Sequence, residues 1–388
     1  MNLKIDLKNK KRLIPQLLTL LFIVLMIGYF AFNAQVNMGN RGISFGYGFL
    51  SQEASFDIGF SLIDYDGSNS YARAFLVGLL NTLLVSAIGI LIATLIGVTI
   101  GIGRLSSNYL VAKFSEVYVE VFRNIPLLLQ LFFWYFAALR ALPLPENAIN
   151  FYDISYLTVK GWYVPKFIWS NFSIFIYSIL ASIVAIIFVS KYAKKQREEF
   201  GKHIPSFYLG VGLLFIIPSL SFLFGGVTLE FEIPVLNQMT KTIFNFQGGV
   251  SIIPELMSLA LALSMYTATF IAENVRAGIL GVGKGQKEAA ASIGLNNTQV
   301  LKLVILPQAL RIIIPPTTNQ YLNLTKNSSL AAAIAYPDIV LVFAGTALMQ
   351  TGRAIEIVSI TMGTYLFLSL SISSLMNWYN KSVAIKEK

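Results

Sequence analysis

The side chains able to do chemistry in this 388-residue chain are few. Cysteine is absent, so no disulfide, thiolate metal site, iron–sulfur cluster or cysteine nucleophile can form. The single histidine, His203, follows Lys202 in a basic stretch and reads as a solvated loop residue, which argues against a histidine-based metal centre. The other polar groups of interest sit inside or beside long apolar runs: Asn81, Thr82, Arg123, Gln130, Asn319, Gln320, Lys326 and Ser329. Polar groups at such places are costly and often line a path for a solute or ion. Each also has a structural reading. Asn81 and Thr82 can begin a helix or bond between helices. Gln130 can join two helices, worth about 0.6–2 kcal/mol. Arg123 can snorkel to a membrane face or meet a partner. Lys326 can pair with a carboxylate as readily as it can touch a solute.

The elements that must position these groups follow from composition. Hydrophobic residues make up 55% of the chain and charged residues 12%. Soluble domains are about 25% charged, so this chain has too little polar surface to coat a water-soluble globule. The same figures exclude a disordered chain, a coiled coil and a collagen. An all-α, polytopic membrane protein is the reading that remains, because a helix pairs its own backbone polar groups. A bilayer core about 30 Å thick needs about 20 apolar residues per helix. Clear runs cover 13–32, 75–103, 171–190, 204–229 and 357–380. Three less uniform ones cover 125–139 (beginning near Phe114), 250–272, and 312–334, which holds Pro315, Pro316 and Lys326. About eight spans are therefore expected.

With the N-terminus inside, the inner segments 1–12, 104–113, 191–203, 274–311 and 381–388 hold 20 Lys and Arg. The outer segments 33–74, 140–170, 226–254 and 335–356 hold 7. That bias places both termini in the cytoplasm. It also accounts for the net charge of +10 without nucleic acid. The run 13–32 is too long for a typical signal-peptide core and reads as a retained anchor helix. The chain thus divides into an anchor helix and outer loop (1–74), a helix pair (75–140), an insertion with two spans (141–249) and a final helical block (250–380).

The inner segment 273–311 is too long and too patterned for a mere connector. Gln286–Ile293 favours a helix, and Gly294 suits a left-handed cap at its end. Asn296, Asn297 and Thr298 can cap a second short helix, whose apolar face is Val300, Leu301, Val304 and Ile305. Pro307 is expected to stop or bend it. The product is a helix–glycine–helix elbow on the inner face. Small side chains let a partner approach closely, and Glu288 can meet a partner's Arg or Lys. The pattern alone fits an interfacial amphipathic hairpin equally well.

Glu288-Ala289-Ala290, three residues, Gly294, nine residues and Val304-Ile305-Leu306-Pro307 together resemble the EAA loop of bacterial ABC importer permeases, with Val304 in place of Ile. Asn81-Thr82-Leu83, Phe122–Gln130, Glu273, Arg276, Gly285-Gln286, Leu306–Ala309 and Lys326–Leu330 are similar to the polar amino acid branch. The anchor and insertion resemble the long permease subunits of general L-amino acid or glutamate/glutamine/aspartate importers. The resemblance implies a type I permease core in a bacterial inner membrane. It implies that Glu288, Ala289, Ala290, Gly294 and Pro307 couple to a separate ABC ATPase dimer, which holds ATP and Mg. It implies a sister permease subunit and a periplasmic amino acid-binding protein as further partners. Asn81, Thr82, Arg123, Gln130, Asn319, Lys326 and Ser329 are then candidate path residues for an amino acid.

The chain itself is not expected to be an enzyme. Gly278, Gly283 and Lys284 imitate a phosphate loop, but Gly285 stands where Ser or Thr would bind magnesium, and the segment follows a helix and not a strand. A membrane enzyme would need a metal motif or nucleophile elbow, and neither is present. The alternative is an ion-coupled secondary transporter of small polar solutes, which has no use for the elbow.

Overall fold

The computed structural model describes residues 10–40, 46–202, 204–238 and 244–383. His203 and the basic residues Lys4 and Lys8 lie outside the described residues.

In chain order the helices are α1 (Lys10–Asn40), α2 (Tyr71–Gly103), α3 (Tyr109–Asn124), α4 (Leu127–Phe132), α5 (Phe172–Phe200), α6 (Ser206–Phe224), α7 (Pro254–Leu280), α8 (Lys284–Ser292), α9 (Asn297–Gln299), α10 (Leu306–Asn327), α11 (Leu348–Thr351) and α12 (Ala354–Val383). Wider π turns extend α4 over Phe133–Leu139, join α9 to α10 over Val300–Ile305 and precede α11 over Val340–Ala347. The fold is mostly helical, as the composition requires. Among the described residues, eight short strands add three small antiparallel sheets: β1 (Ile149–Phe151), β2 (Ser155–Thr158), β3 (Gly161–Val164) and β8 (Val250–Ile252) in one, β4 (Lys166–Ser170) with β5 (Thr228–Glu232), and β6 (Val235–Gln238) with β7 (Phe244–Gln247). They occupy stretches expected as outer loops.

Five helices among the described residues are long and apolar enough to cross a membrane: α2, α5, α7, the continuous run Asn297–Ile334 and most of α12. The pair α3 and α4 makes a sixth if counted as one span. The expected spans 13–32 and 204–229 fall on α1 and α6, whose described apolar stretches are Ile14–Phe30 and Tyr208–Phe224. Among the described residues five or six helices are thus long and apolar enough to span, and the structure neither adds to nor removes α1 and α6 as the further spans expected.

The span expected to run from Phe114 to 139 is not straight. The chain bends by 102° between α3 and α4. Pro126 has no N–H, and its ring pushes Ile125 out of the helical region to φ −91°, ψ 128°. Conversely, Pro307 does not stop its helix, and α10 continues through Pro315 and Pro316. Pro307 lies in the first turn of α10, directly after a π turn, and the run Asn297–Ile334 continues for 38 residues. Pro315 and Pro316 lie inside α10, where they withhold donors from the carbonyls four residues earlier without ending the helix.

By contact density the chain forms two units, Met1–Gln130 with Leu259–Lys388, and Leu131–Ser258. In the first, α2 and α7 meet along small residues. Gly89, Ala93, Gly97 and Gly101 recur every fourth position on α2 and are all buried. Ala260, Ser264, Ala268 and Ala272 do the same on α7. Residues four apart share a helix face, and small ones let two backbones approach closely. A Cβ on Gly97 would lie 2.6 Å from the Ile271 Cβ, and one on Gly101 would lie 2.7 Å from the Ala272 carbonyl oxygen.

A second core lies in stretches expected as loops. Phe49, Ala54, Tyr71 and Ala74 pack with Ile339, Val342, Phe343, Ala347 and Ile357. The segment 335–356, read from its flanks as an outer loop, is thus mostly short helix with a buried face. In the second unit α5 packs on α6.

Candidate functional site

The elbow forms from local signals. Helix α8 ends in a double-bonded glycine cap. Gly294 has φ +80°, its N–H donates to the Ala291 carbonyl at 2.9 Å, and the Leu295 N–H donates to the Ala290 carbonyl at 3.2 Å. Two residues later Asn296 opens the next helix with a reciprocal cap. The Gln299 N–H donates to Asn296 Oδ1 and the Asn296 N–H to Gln299 Oε1, each at 3.0 Å. A small core of Val282, Ala290, Val300, Ile305 and Ala309, flanked by Leu295 and Val304, fixes the angle between the two arms. Gln308 Nε2 donates to Gln286 Oε1 across them at 3.3 Å.

The predicted coupling residues divide by role. Ala290 is buried in that core, and Pro307 is half-buried at the foot of the second arm. Glu288, Ala289 and Gly294 are exposed. Beside them Ile293 is 77% exposed, a large apolar side chain left uncovered at the tip. The elbow thus buries its inner seam and leaves an acid, small residues and an isoleucine facing outward.

Next to the elbow in sequence, the end of α7 is tied to the end of α2 by charge. Glu273 on α7 pairs through Oε2 with Arg104 Nη1 at the end of α2, and through Oε1 with Arg276 Nη2 at 2.7 Å. Both arginines are half-buried, so these pairs are less screened than surface ones.

Residues 199–385 match the family described as binding-protein-dependent transport system inner membrane component. Over 374 residues the chain is 48% identical to the putative amino-acid ABC transporter permease protein YhdX of Escherichia coli, covering 96% of this chain and 94% of that protein. It is 48% identical to the general L-amino acid transport system permease protein AapQ of Rhizobium johnstonii, covering 96% and 92%. The glutamate/glutamine/aspartate/asparagine transport system permease protein BztB of Rhodobacter capsulatus is 38% identical, covering 96% and 93%. The chain belongs to the amino-acid ABC transporter permeases. It is a multi-pass membrane transport subunit and not an enzyme. These alignments span the anchor and the insertion as well as the helical blocks.

Within this permease the candidate path residues do not form one cluster. Asn81 is fully buried, and its Nδ2 donates to the carbonyls of Phe60 and Pro337, both at 2.9 Å. Thr82 Oγ1 donates to the Gly78 carbonyl at 2.9 Å and accepts the Ile339 N–H at 3.1 Å. Both side chains pin α2 to the turn at 337–339. Gln130 is buried, and its Nε2 donates to the carbonyls of Phe122 and Ile125 at 2.7 and 2.9 Å. It therefore staples the bend at Pro126. Arg123, Asn319 and Lys326 are exposed, while Gln320 and Ser329 are half-buried. Ser329 Oγ donates to the Lys326 carbonyl at 2.7 Å. Asn319 lines a 270 Å³ notch with Ser373, Asn377 and Asn380 of α12.

Asn81→Leu is expected to lower the melting temperature of the purified permease by several degrees. It removes the one donor shared by two carbonyls, a loss of about 2–4 kcal/mol. A melting temperature equal to wild type would show that the pin contributes nothing.

Some residues that matter here escaped sequence reasoning. Glu356 is completely buried, its Oε1 accepts the Gly46 N–H at 2.8 Å, and Arg353 Nη1 donates to the Gly46 carbonyl at 3.0 Å. Together they clamp the chain at Gly46 to the start of α12. Their spacing of three hints at an ion pair, but nothing in the sequence points from them to Gly46.

Proposed function

We propose that this permease carries amino acids inward as one of two permease subunits, moved by a separate ABC ATPase dimer that grips the elbow. ATP and Mg belong to that partner. A periplasmic binding protein delivers the amino acid on the outer face, and a sister permease completes the path. The bias of Lys and Arg supports cytoplasmic N- and C-termini in the inner membrane. Glu288, Ala289, Ala290, Gly294 and Pro307 form the handle, and the exposed Arg123, Asn319 and Lys326 are the candidate path residues that remain open to a solute.

The observation that carries this reading is the elbow's construction. It has caps on both sides of its bend, a core of its own and an uncovered tip; it follows α7 across a short turn at 281–283 and runs on without a break into α10. Movement imposed on the tip would therefore pass directly into α10. An ion-coupled carrier would have no need of such a part.

The test is purification with whatever copurifies, reconstitution into liposomes, and an uptake panel of acidic, polar and apolar amino acids. Uptake is expected only with ATP, the ATPase and the binding protein. Uptake by the isolated chain driven by an ion gradient would reject the proposal in favour of a secondary carrier.

A further inference from the structure

In the unit Leu131–Ser258 a cavity of about 350 Å³ is lined by Tyr135, Leu139, Arg140, Val159, Lys160, Ile253, Pro254 and Glu255. Its polar groups are organised. Tyr135 hydroxyl donates to Glu255 Oε1 at 2.9 Å, and the Arg140 guanidinium carbon lies 5.4 Å from the centre of the Tyr135 ring. Tyrosine thus stands between one anion and one cation and holds both at the same cavity. Glu255 occupies the first turn of α7, where the helix dipole favours a carboxylate. The opposite wall is fixed too. The β2–β3 turn at Val159 and Lys160 is anchored by the Val159 N–H, which donates to the Pro143 carbonyl at 2.9 Å.

We infer that this cavity is a binding site for a free α-amino acid, with Arg140 receiving the carboxylate and Glu255 the ammonium. A guanidinium offers paired donors that match a carboxylate. A carboxylate already holding one hydroxyl keeps acceptor capacity for an ammonium. Leu139, Val159, Ile253 and Pro254 supply an apolar wall for part of a side chain. Small-molecule sites begin at about 300 Å³, so the volume admits one amino acid and excludes a folded partner. One wall comes from the insertion hairpin, a part that the coupling elbow does not need. The inference rests on the proposed amino acid transport and places a staging site on the segments read as outer.

The test uses the complete transporter in nanodiscs, without binding protein or ATP, and radiolabelled glutamine as probe. Competitors are unlabelled glutamine, its methyl ester (carboxylate masked) and its N-acetyl derivative (ammonium masked). In wild type both masked compounds should compete about tenfold less well than glutamine. Arg140→Gln should abolish the penalty for the ester alone, Glu255→Gln the penalty for the acetyl derivative alone, and Arg140→Lys should restore the ester penalty in part. A variant that merely folds poorly would lower binding of all three and leave the ratios alone. No binding of glutamine to wild type, or ratios unaltered in the variants, overturns the site. ATP-driven uptake by the same preparation with its binding protein is measured in parallel. Its presence without the expected ratios removes the site and leaves the transport proposal standing, and its absence removes both.

Discussion

Replacing Gly294 by valine is expected to cut ATP-driven uptake at least about tenfold while the subunit still reaches the membrane and assembles. The residue closes α8 at φ +80°, and an added Cβ would meet nothing within 4 Å. Collision is therefore not the mechanism. The left-handed backbone itself is the constraint, costing about 1–2 kcal/mol for an ordinary L residue and more for a β-branched one. At 1.4 kcal/mol per factor of ten, a strained turn gives way to another geometry in most molecules. The two cap bonds from Gly294 and Leu295 are then lost, and the angle between the elbow's arms with them. Gly294→Asn separates this account from a surface effect, because asparagine tolerates the left-handed region. It should retain most of the uptake although it adds a larger group than alanine at an exposed tip. The measurement is uptake in proteoliposomes beside ATPase activity with liganded binding protein. For valine, hydrolysis should lose its stimulation together with uptake. Equal losses in valine and asparagine would mean that the tip, and not the turn, carries the function.

The larger structural effect is expected at Gly101, where leucine should prevent accumulation of folded permease. A Cβ there would lie 2.7 Å from the Ala272 carbonyl oxygen and 2.8 Å from the Val275 Cβ. Backbone oxygen cannot step aside as a flexible side chain can, so α2 and α7 must separate. Overpacking commonly costs 1–3 kcal/mol, and separation of two helices along a whole small-residue seam adds to that, about 3 kcal/mol or more in total. The same displacement would pull Arg104 at the end of α2 from Glu273 on α7. Gly363→Ala on α12 is the matched control, since its Cβ would meet nothing within 4 Å. It should stay within about 0.5 kcal/mol of wild type. Membrane yield and thermal unfolding in detergent decide the matter. Wild-type yield and melting for Gly101→Leu would show that the α2–α7 seam is not as close as described.

Some of this permease was legible in the sequence by itself. Glycine at a left-handed cap and asparagine three residues before a glutamine are signals that act over a few residues, so the elbow could be read as a string. The helical class followed from apolar run length, which depends on the bilayer and not on tertiary contacts. Other features were decided only by the folded chain. Asn81 looked like a path residue because a buried amide is costly, but whether its partner is a solute or a carbonyl depends on Pro337, 256 residues away. Glu356 and Gly46 are 310 residues apart, and no local pattern announces that they meet. Pro126 bends the chain while Pro315 and Pro316 leave α10 unbroken, although a proline removes the same donor in each case. Short-range bonding could therefore be read residue by residue. The long-range pins were set by which backbones came close enough to need a donor, and only the packed arrangement determines that.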